Sequence, residues 1–351
     1  MKTQLLQVGA VFVALGCTNT AAPNDTTSPA GTDNGSAGQT GSDTPGAAGD
    51  TGDGGAATPF VPGNVWMTSG GNAKIFKLDA GREEVDVVLD VGTEPTSIAW
   101  SNEVVWYARN GKFELEGVSQ DGILEATSVP EARDVFSADG RVWSTSGQYA
   151  IASVDPATGT VIQTINLENQ LQDSLLVDSG AVWVMAGNSI VRVDIAAEAV
   201  TGTIDLETIG AAPGMVLAEI ASGEGFVWAL VAPAVDGPGY LLQIDPALAS
   251  IVNQLTFPTV DWDDGLAVGY GSVWVSLSAT SQILRLDPQT LATQGEVLTP
   301  DGHPEDLATG AGSVWAVDLQ TSNLWRVNPD DYSVHSIWLQ YPPSDLVVLG
   351  E

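Results

Sequence analysis

The dipeptide Val-Trp recurs seven times along this chain at nearly even intervals, ending in Trp66, Trp106, Trp143, Trp183, Trp228, Trp274 and Trp315. The spacings are 40, 37, 40, 45, 46 and 41 residues. A turn marker follows each Trp, as in Val154-Asp155-Pro156 and Leu286-Asp287-Pro288, and a Gly-rich marker precedes most of them, as in Gly310-Ala311-Gly312. A fixed period in this range is the mark of a repeat architecture, in which one unit cannot bury its own apolar face and the next unit must cover it.

The local chemistry of the repeat is that of strands. Runs are short, rich in Val, Ile, Leu and Trp, and bounded by Gly, Asp and Pro. The last full unit divides into four such runs, at 306–310, 313–317, 323–328 and 333–339. Seven units of four strands predict an all-β fold, a seven-bladed β-propeller of four-stranded antiparallel blades. In this arrangement each Val-Trp packs between blades, and the Gly before it serves the tight turn between the first two strands. The ends of the repeat region are complementary. It begins at Gly63-Asn64-Val65-Trp66, a second strand lacking a first, and finishes at Ser344–Glu351, a first strand lacking a second. The C-terminal strand is therefore expected to close the ring by pairing with the N-terminal strands.

The propeller is expected to occupy residues 59–351. Residues 18–58 contain no Val, Ile, Leu, Met or aromatic residue. Such a segment cannot offset its chain entropy by burial, so 17–58 reads as a flexible tether. A coil of this length reaches about 35 Å. Residues 1–16 have one positive charge at Lys2, an apolar run and small residues before Cys17, the pattern of a signal peptide. Val13-Ala14-Leu15-Gly16-Cys17 resembles the lipobox of bacterial lipoproteins. That resemblance implies that Cys17 is lipidated and becomes the mature N-terminus. Thr18, standing where an Asp would retain such a protein at the inner membrane, implies a cell-envelope location at the outer membrane, facing the periplasm or the surface. Cys17 is the one cysteine, so no intrachain disulfide forms.

The chain carries 44 Asp plus Glu against 11 Lys plus Arg. A surface this acidic repels nucleic acid and anionic headgroups and leaves cations, proteins and carbohydrates as partners; the propeller itself is expected to be monomeric.

The unit Pro304–Pro329, with its Leu-Ala, Gly-rich turn, Val-Trp and Leu-Trp-Arg-Val-Asn, resembles propellers of the streptogramin (virginiamycin B) lyase-like and YVTN (YncE-like) group. The resemblance covers about 290 residues and implies the fold. Lyases of that group place a Glu three residues after the turn Trp and gather His and Glu around Mg²⁺. Here those positions hold Ser69, Arg109, Ser146, Ala186, Val231, Leu277 and Asp318. The domain's histidines are His303, in a loop leading into an inner strand, and His335, on an outer strand. The lyase pattern is not matched, and no phosphate loop, nucleophile elbow or zinc ligand cluster stands in its place.

One constellation points to binding. Nine residues before each Trp, at the start of the innermost strand, stand Ser97, Asp134, Ser174, Glu219, Gly265 and Asp306, with Asp345 in the closing unit. Asp264 sits one place before Gly265. These positions ring one mouth of the central channel. Two readings stand. Asp134, Glu219, Asp264, Asp306 and Asp345 make a cation site, with Asp134, Glu219 and Asp306 as ligands of a metal for which Ca²⁺ is the candidate. Alternatively, each Asp caps the backbone turn into its strand. Trp262, between Asp261 and Asp263, adds an aromatic face for a sugar or a cation, or else anchors its loop. The function expected is a lipid-anchored binding or scaffold module; the alternative is a metal-dependent lyase or lactonase at the same mouth.

Overall fold

The computed structural model describes residues 63–350, apart from 93, 110–113, 120, 121, 128, 212 and 236, and apart from the side chains of 122–127 and Asp173. The expected signal segment 1–16, Cys17 and the expected tether lie outside the described residues.

Among the described residues, twenty-eight strands form seven four-stranded antiparallel sheets, arranged as a seven-bladed propeller. Within each blade the strands follow chain order from the inside outward. The exception is the blade that closes the ring, where Asp345–Leu349 lies inside Asn64–Ser69. The expected closure is thus present, with Asn64 opposite Leu349 and Thr68 opposite Asp345. We number this closing blade 1 and the others 2 to 7 along the chain.

The tight turn between the first two strands explains the Gly before Val-Trp. Gly140, Gly180, Gly225, Gly271 and Gly312 all have positive φ, and so do the residues before them, Asp139, Ser179, Glu224, Tyr270 and Ala311. Two successive left-handed residues make the turn whose twist matches that of a hairpin.

The Val-Trp repeat is an interface device. The core separates into seven apolar clusters, and each holds one of the seven tryptophans facing residues of the next blade. Trp315 of blade 7, for example, packs with Val65 and Met67 of blade 1, and Trp66 packs with Val105 and Tyr107 of blade 2. Six of the seven are fully buried; Trp66 is nearly so. Where a Gly ends the inner strand, the indole also finds a partner. The Nε1–H of Trp228, Trp274 and Trp315 donates to the carbonyls of Gly223, Gly269 and Gly310 at 3.1–3.2 Å. A Cβ at Gly269 would lie 2.7 Å from the Thr309 hydroxyl in the next blade, so the glycine also admits the neighbour.

A second staple lies farther out. Gln243, Arg285 and Arg326, opposite the Trp of their own blades, reach the Asp-Pro-type turn of the following blade. Gln243 donates to Pro288 O at 2.8 Å, Arg285 to Pro329 O at 2.7 Å, and Arg326 to Ala80 O at 2.9 Å. Arg285 and Arg326 also lie over Trp274 and Trp315 at 5.4 and 4.9 Å. The turns they grip are fixed by their own Asp or Asn: Asp287 Oδ1 accepts the N–H groups of Gln289 and Thr290, and Asn328 Oδ1 that of Asp330.

Candidate functional site

The seven positions counted back from the tryptophans all line one central cavity of about 710 Å³. Asp134, Gly265, Asp306 and Asp345 stand at or just before the first residue of their inner strands, as expected, whereas Ser97, Ser174 and Glu219 lie inside longer strands that begin at Pro95, Leu171 and Met215, each at a register shift. The count back from the Trp still brings Asp134, Glu219, Asp306 and Asp345 to the same cavity, from blades 3, 5, 7 and 1.

These carboxyl groups hold the inner strands together. Each accepts the N–H of the residue after it: Val135 on Asp134 at 2.8 Å, Ile220 on Glu219 at 2.8 Å, Leu307 on Asp306 at 2.8 Å and Leu346 on Asp345 at 2.6 Å. Three also reach into the next blade. Asp134 Oδ2 accepts Leu175 N–H at 2.7 Å, Asp345 Oδ2 accepts Ile98 N–H at 2.9 Å, and Asp306 Oδ2 receives Leu346 N–H at 3.4 Å. Ser97, the ring residue of blade 2, donates its hydroxyl to Asp134 at 2.7 Å. The capping expected of these residues is present and extends from blade to blade. Glu219 makes only its own cap among these bonds.

Gly265 breaks the acidic pattern for a steric reason. A Cβ there would lie 2.5 Å from Glu305 O and 2.6 Å from Leu307 N, both backbone atoms of blade 7. Blades 6 and 7 approach too closely for any side chain. Ser276 Oγ seals the contact, donating to Glu305 O at 2.5 Å and accepting Gly265 N–H at 2.6 Å.

The four acids also sense one another. They are half-buried, partly open to the lumen. Burial raises Asp134 to about 7, with the charge of Asp345 adding to it, and raises Glu219 to about 8, with Asp134 and Asp345 adding. Burial likewise raises Asp306 to about 7, with Glu219 adding, while a hydrogen bond from Asp345 holds it down. Asp345 is raised well above the usual carboxyl range by burial, by the charge of Asp306 and by that same bond. All four residues line the cavity, so each carboxyl lies within the electrostatic reach of others across the blades.

Asp264 is not part of this ring of four. It is 2 % exposed and ties down its loop: Oδ2 accepts Asp261 N–H at 2.9 Å, and Oδ1 accepts the N–H and hydroxyl of Ser278 at 2.8 and 2.7 Å. Burial raises it to about 6. With Asp261 and Asp263 it forms a cluster whose carboxylate oxygens lie within 4.8 Å of one another. Glu305, 7 % exposed, faces the same group, and burial and the charges of Asp263, Asp318 and Asp264 raise it to about 8. Asp263 and Glu305 both line the cavity, and sequence reading had not singled them out as site residues. The one available signal was the adjacency of Glu305 to Asp306. Trp262 also lines the cavity and is 74 % exposed, so it is a rim residue and not a loop anchor. Arg133 is the one base among the described residues lining the cavity.

The remaining positions considered for lyase chemistry have structural tasks. Asp318 is fully buried and accepts the N–H groups of His303 and Thr321 and the indole N–H of Trp325. Arg109 is buried beside Glu116, which also accepts the Tyr107 hydroxyl. His335 is exposed on an outer strand, 3.1 Å from Glu83.

No family model matches the chain, and no curated protein matches it. Among solved structures it is similar to the computationally designed Ika8 protein, at 10 % identity over 84 % of this chain and 95 % of that one, with a TM-score of 0.62. It is also similar to AztD of Citrobacter koseri, at 10 % identity over 83 % and 98 % of the two chains, with a TM-score of 0.58. The WD40 domain of Neurospora crassa Pan2 matches at 13 % identity over 70 % and 80 %, with a TM-score of 0.54. At these identities the likeness is one of fold.

Proposed function

We propose that this chain is a lipid-anchored binding propeller of the cell envelope, and that the acidic mouth of its channel receives a cationic ligand. One observation carries the reading of the site: Asp134, Glu219, Asp306 and Asp345 converge on the lumen of a ligand-sized cavity, beside a second acidic group and an exposed rim Trp. Capping accounts for one or two bonds to each of these carboxyls, and low-dielectric walls focus the field of their remaining charge on whatever enters. The repeat's resemblance to the YVTN and streptogramin-lyase-like propellers supports a binding role more than catalysis, because the residues at the lyase positions are committed to the fold.

The full chain should show a higher Tm in millimolar CaCl₂ or methylammonium chloride than in NaCl of equal ionic strength, at pH 7.5. The triple variant Asp134→Asn, Glu219→Gln, Asp306→Asn should lose that rise. Equal melting curves in all three salts would remove the cation reading. The address has its own test. Cys17→Ser should move the protein from the membrane to the soluble fraction of lysed cells, and continued sedimentation with membranes would refute lipidation at Cys17.

A further inference from the structure

The cavity has more room and more kinds of wall than an inorganic cation uses. At about 710 Å³ it lies in the range of sites for small organic molecules. Its wall changes character within one strand step. Side chains two apart on a strand share a face, and two residues beyond the acidic level the wall is apolar, with Phe136, Ala221 and Val347 partly open to the cavity and Ala99, Leu176 and Ala267 buried behind it. A ring of carboxyls is thus followed directly by an apolar ring in the same cavity.

The oxygens of the acidic level are better disposed toward an ammonium group than toward a hard metal ion. Such an ion needs six to eight free oxygen ligands in a close shell. Both oxygens of Asp134 and of Asp345 already accept backbone N–H groups, and both oxygens of Asp264 are likewise engaged. An ammonium group asks for less. It donates three hydrogen bonds to remaining lone pairs and needs no closed shell. At the rim, the exposed face of Trp262 stands beside Asp263, an arrangement that draws organic cations by cation–π attraction.

We propose that the channel binds a small organic amine, with its apolar body seated on the inner apolar ring and its ammonium held at the carboxyl ring beneath Trp262. This rests on the cation reading above and names the class of cation. The proposal draws on the size of the cavity, its two-part wall and the rim indole together.

The test is calorimetric titration of the full chain at pH 7.5 with n-hexylamine, methylamine, 1-hexanol and CaCl₂. Hexylamine should bind at least tenfold more tightly than methylamine, since each buried methylene adds roughly three- to fourfold. Hexanol should bind far more weakly than hexylamine. Trp262→Ala, a change at an exposed side chain, should leave Tm unchanged and weaken hexylamine about two- to fivefold. Glu219→Gln should weaken both amines and leave hexanol unaffected. Equal affinity for the two amines, or binding of Ca²⁺ with none of either amine, overturns this inference and leaves the cation reading standing. Hexanol binding as well as hexylamine, or no binding by any of the cations, overturns both.

Discussion

Removal of residues 345–351 should abolish cooperative unfolding. Asp345–Leu349 is the inner strand of blade 1, and its only sequence-distant partner strand is the N-terminal Asn64–Ser69. Its loss strips five paired residues from that blade. It also removes Leu346, which is 6 % exposed in the cluster joining blades 7 and 1 with Val65, Met67 and Trp315. The carboxyl that caps Ile98 in blade 2 goes with it, as does the carbonyl of Gly350 that accepts Ala311 N–H at 3.0 Å. Net hydrogen bonds of ~1 kcal/mol each and apolar burial of ~2 kcal/mol per side chain sum to more than about 5 kcal/mol, comparable with the whole stability of a typical domain. The ring also opens, exposing the faces of blades 7 and 2. The truncated chain should therefore lose its sigmoidal thermal transition and its near-ultraviolet dichroism. Leu346→Ala, which leaves the strand in place, should lower stability by about 2–4 kcal/mol with cooperativity intact. A synthetic peptide spanning 340–351, added in excess, should restore the transition. A truncated protein that melts like the parent would show that closure is not what holds the ring.

That closure was legible because its two halves are written in the same local code as the complete blades between them. The same holds for everything the period governs. The tryptophans recur because every interface between blades needs one large flat side chain, and the Asp-Pro turns recur because each outer hairpin needs an Asx-type cap. The level of Asp134, Glu219, Asp306 and Asp345 followed from counting back along a strand whose register is set by its Trp. What the period does not govern stayed hidden. Nothing in the repeat explains Gly265, and the backbone of blade 7 behind it does. The reach of Asp134 to Leu175 and of Asp345 to Ile98 depends on the offset between neighbouring blades, which no single repeat encodes. Asp263 and the exposed Trp262 belong to an aperiodic loop. Glu305 enters the site because it faces that loop while its neighbour Asp306 faces the lumen.

The protein should become less stable as pH rises from about 5 to 8.5, and Glu219→Gln should remove part of that loss. Asp134, Glu219, Asp306 and Asp345 all titrate above their ordinary values near 4. A group held above its unfolded value keeps its proton in the folded state after the unfolded chain has released it. Its stabilising effect is therefore complete below about pH 4 and fades as pH climbs through about 7 to 8. Asp263, Asp264 and Glu305 are displaced upward as well and act in the same sense. The acids held below their ordinary values, Asp79, Asp90, Asp287 and Asp331, lie on exposed turns and strand ends, and they are ionised by pH 5 in either state. Between pH 5 and 8.5 the cavity acids therefore set the slope. One unit of displacement corresponds to about 1.4 kcal/mol. Lumen water reduces the effect, so Glu219→Gln should gain about 2 kcal/mol at pH 8.5, or roughly 5 °C in Tm. Gln can keep the bond from Ile220 N–H through its amide oxygen, so the gain reflects the lost charge. Asp306→Asn should act likewise, since it removes a charge that raises Asp345. At pH 5, where the carboxyls are protonated, both variants should melt within about 1 °C of the parent, because the charge they remove is already absent. Thermal denaturation at half-unit steps of pH measures this directly. A Tm that holds level from pH 5 to 8.5, or a Glu219→Gln curve that runs parallel to the parent's, would mean that these carboxyls ionise freely, and that the lumen is wetter and less charged than its geometry indicates.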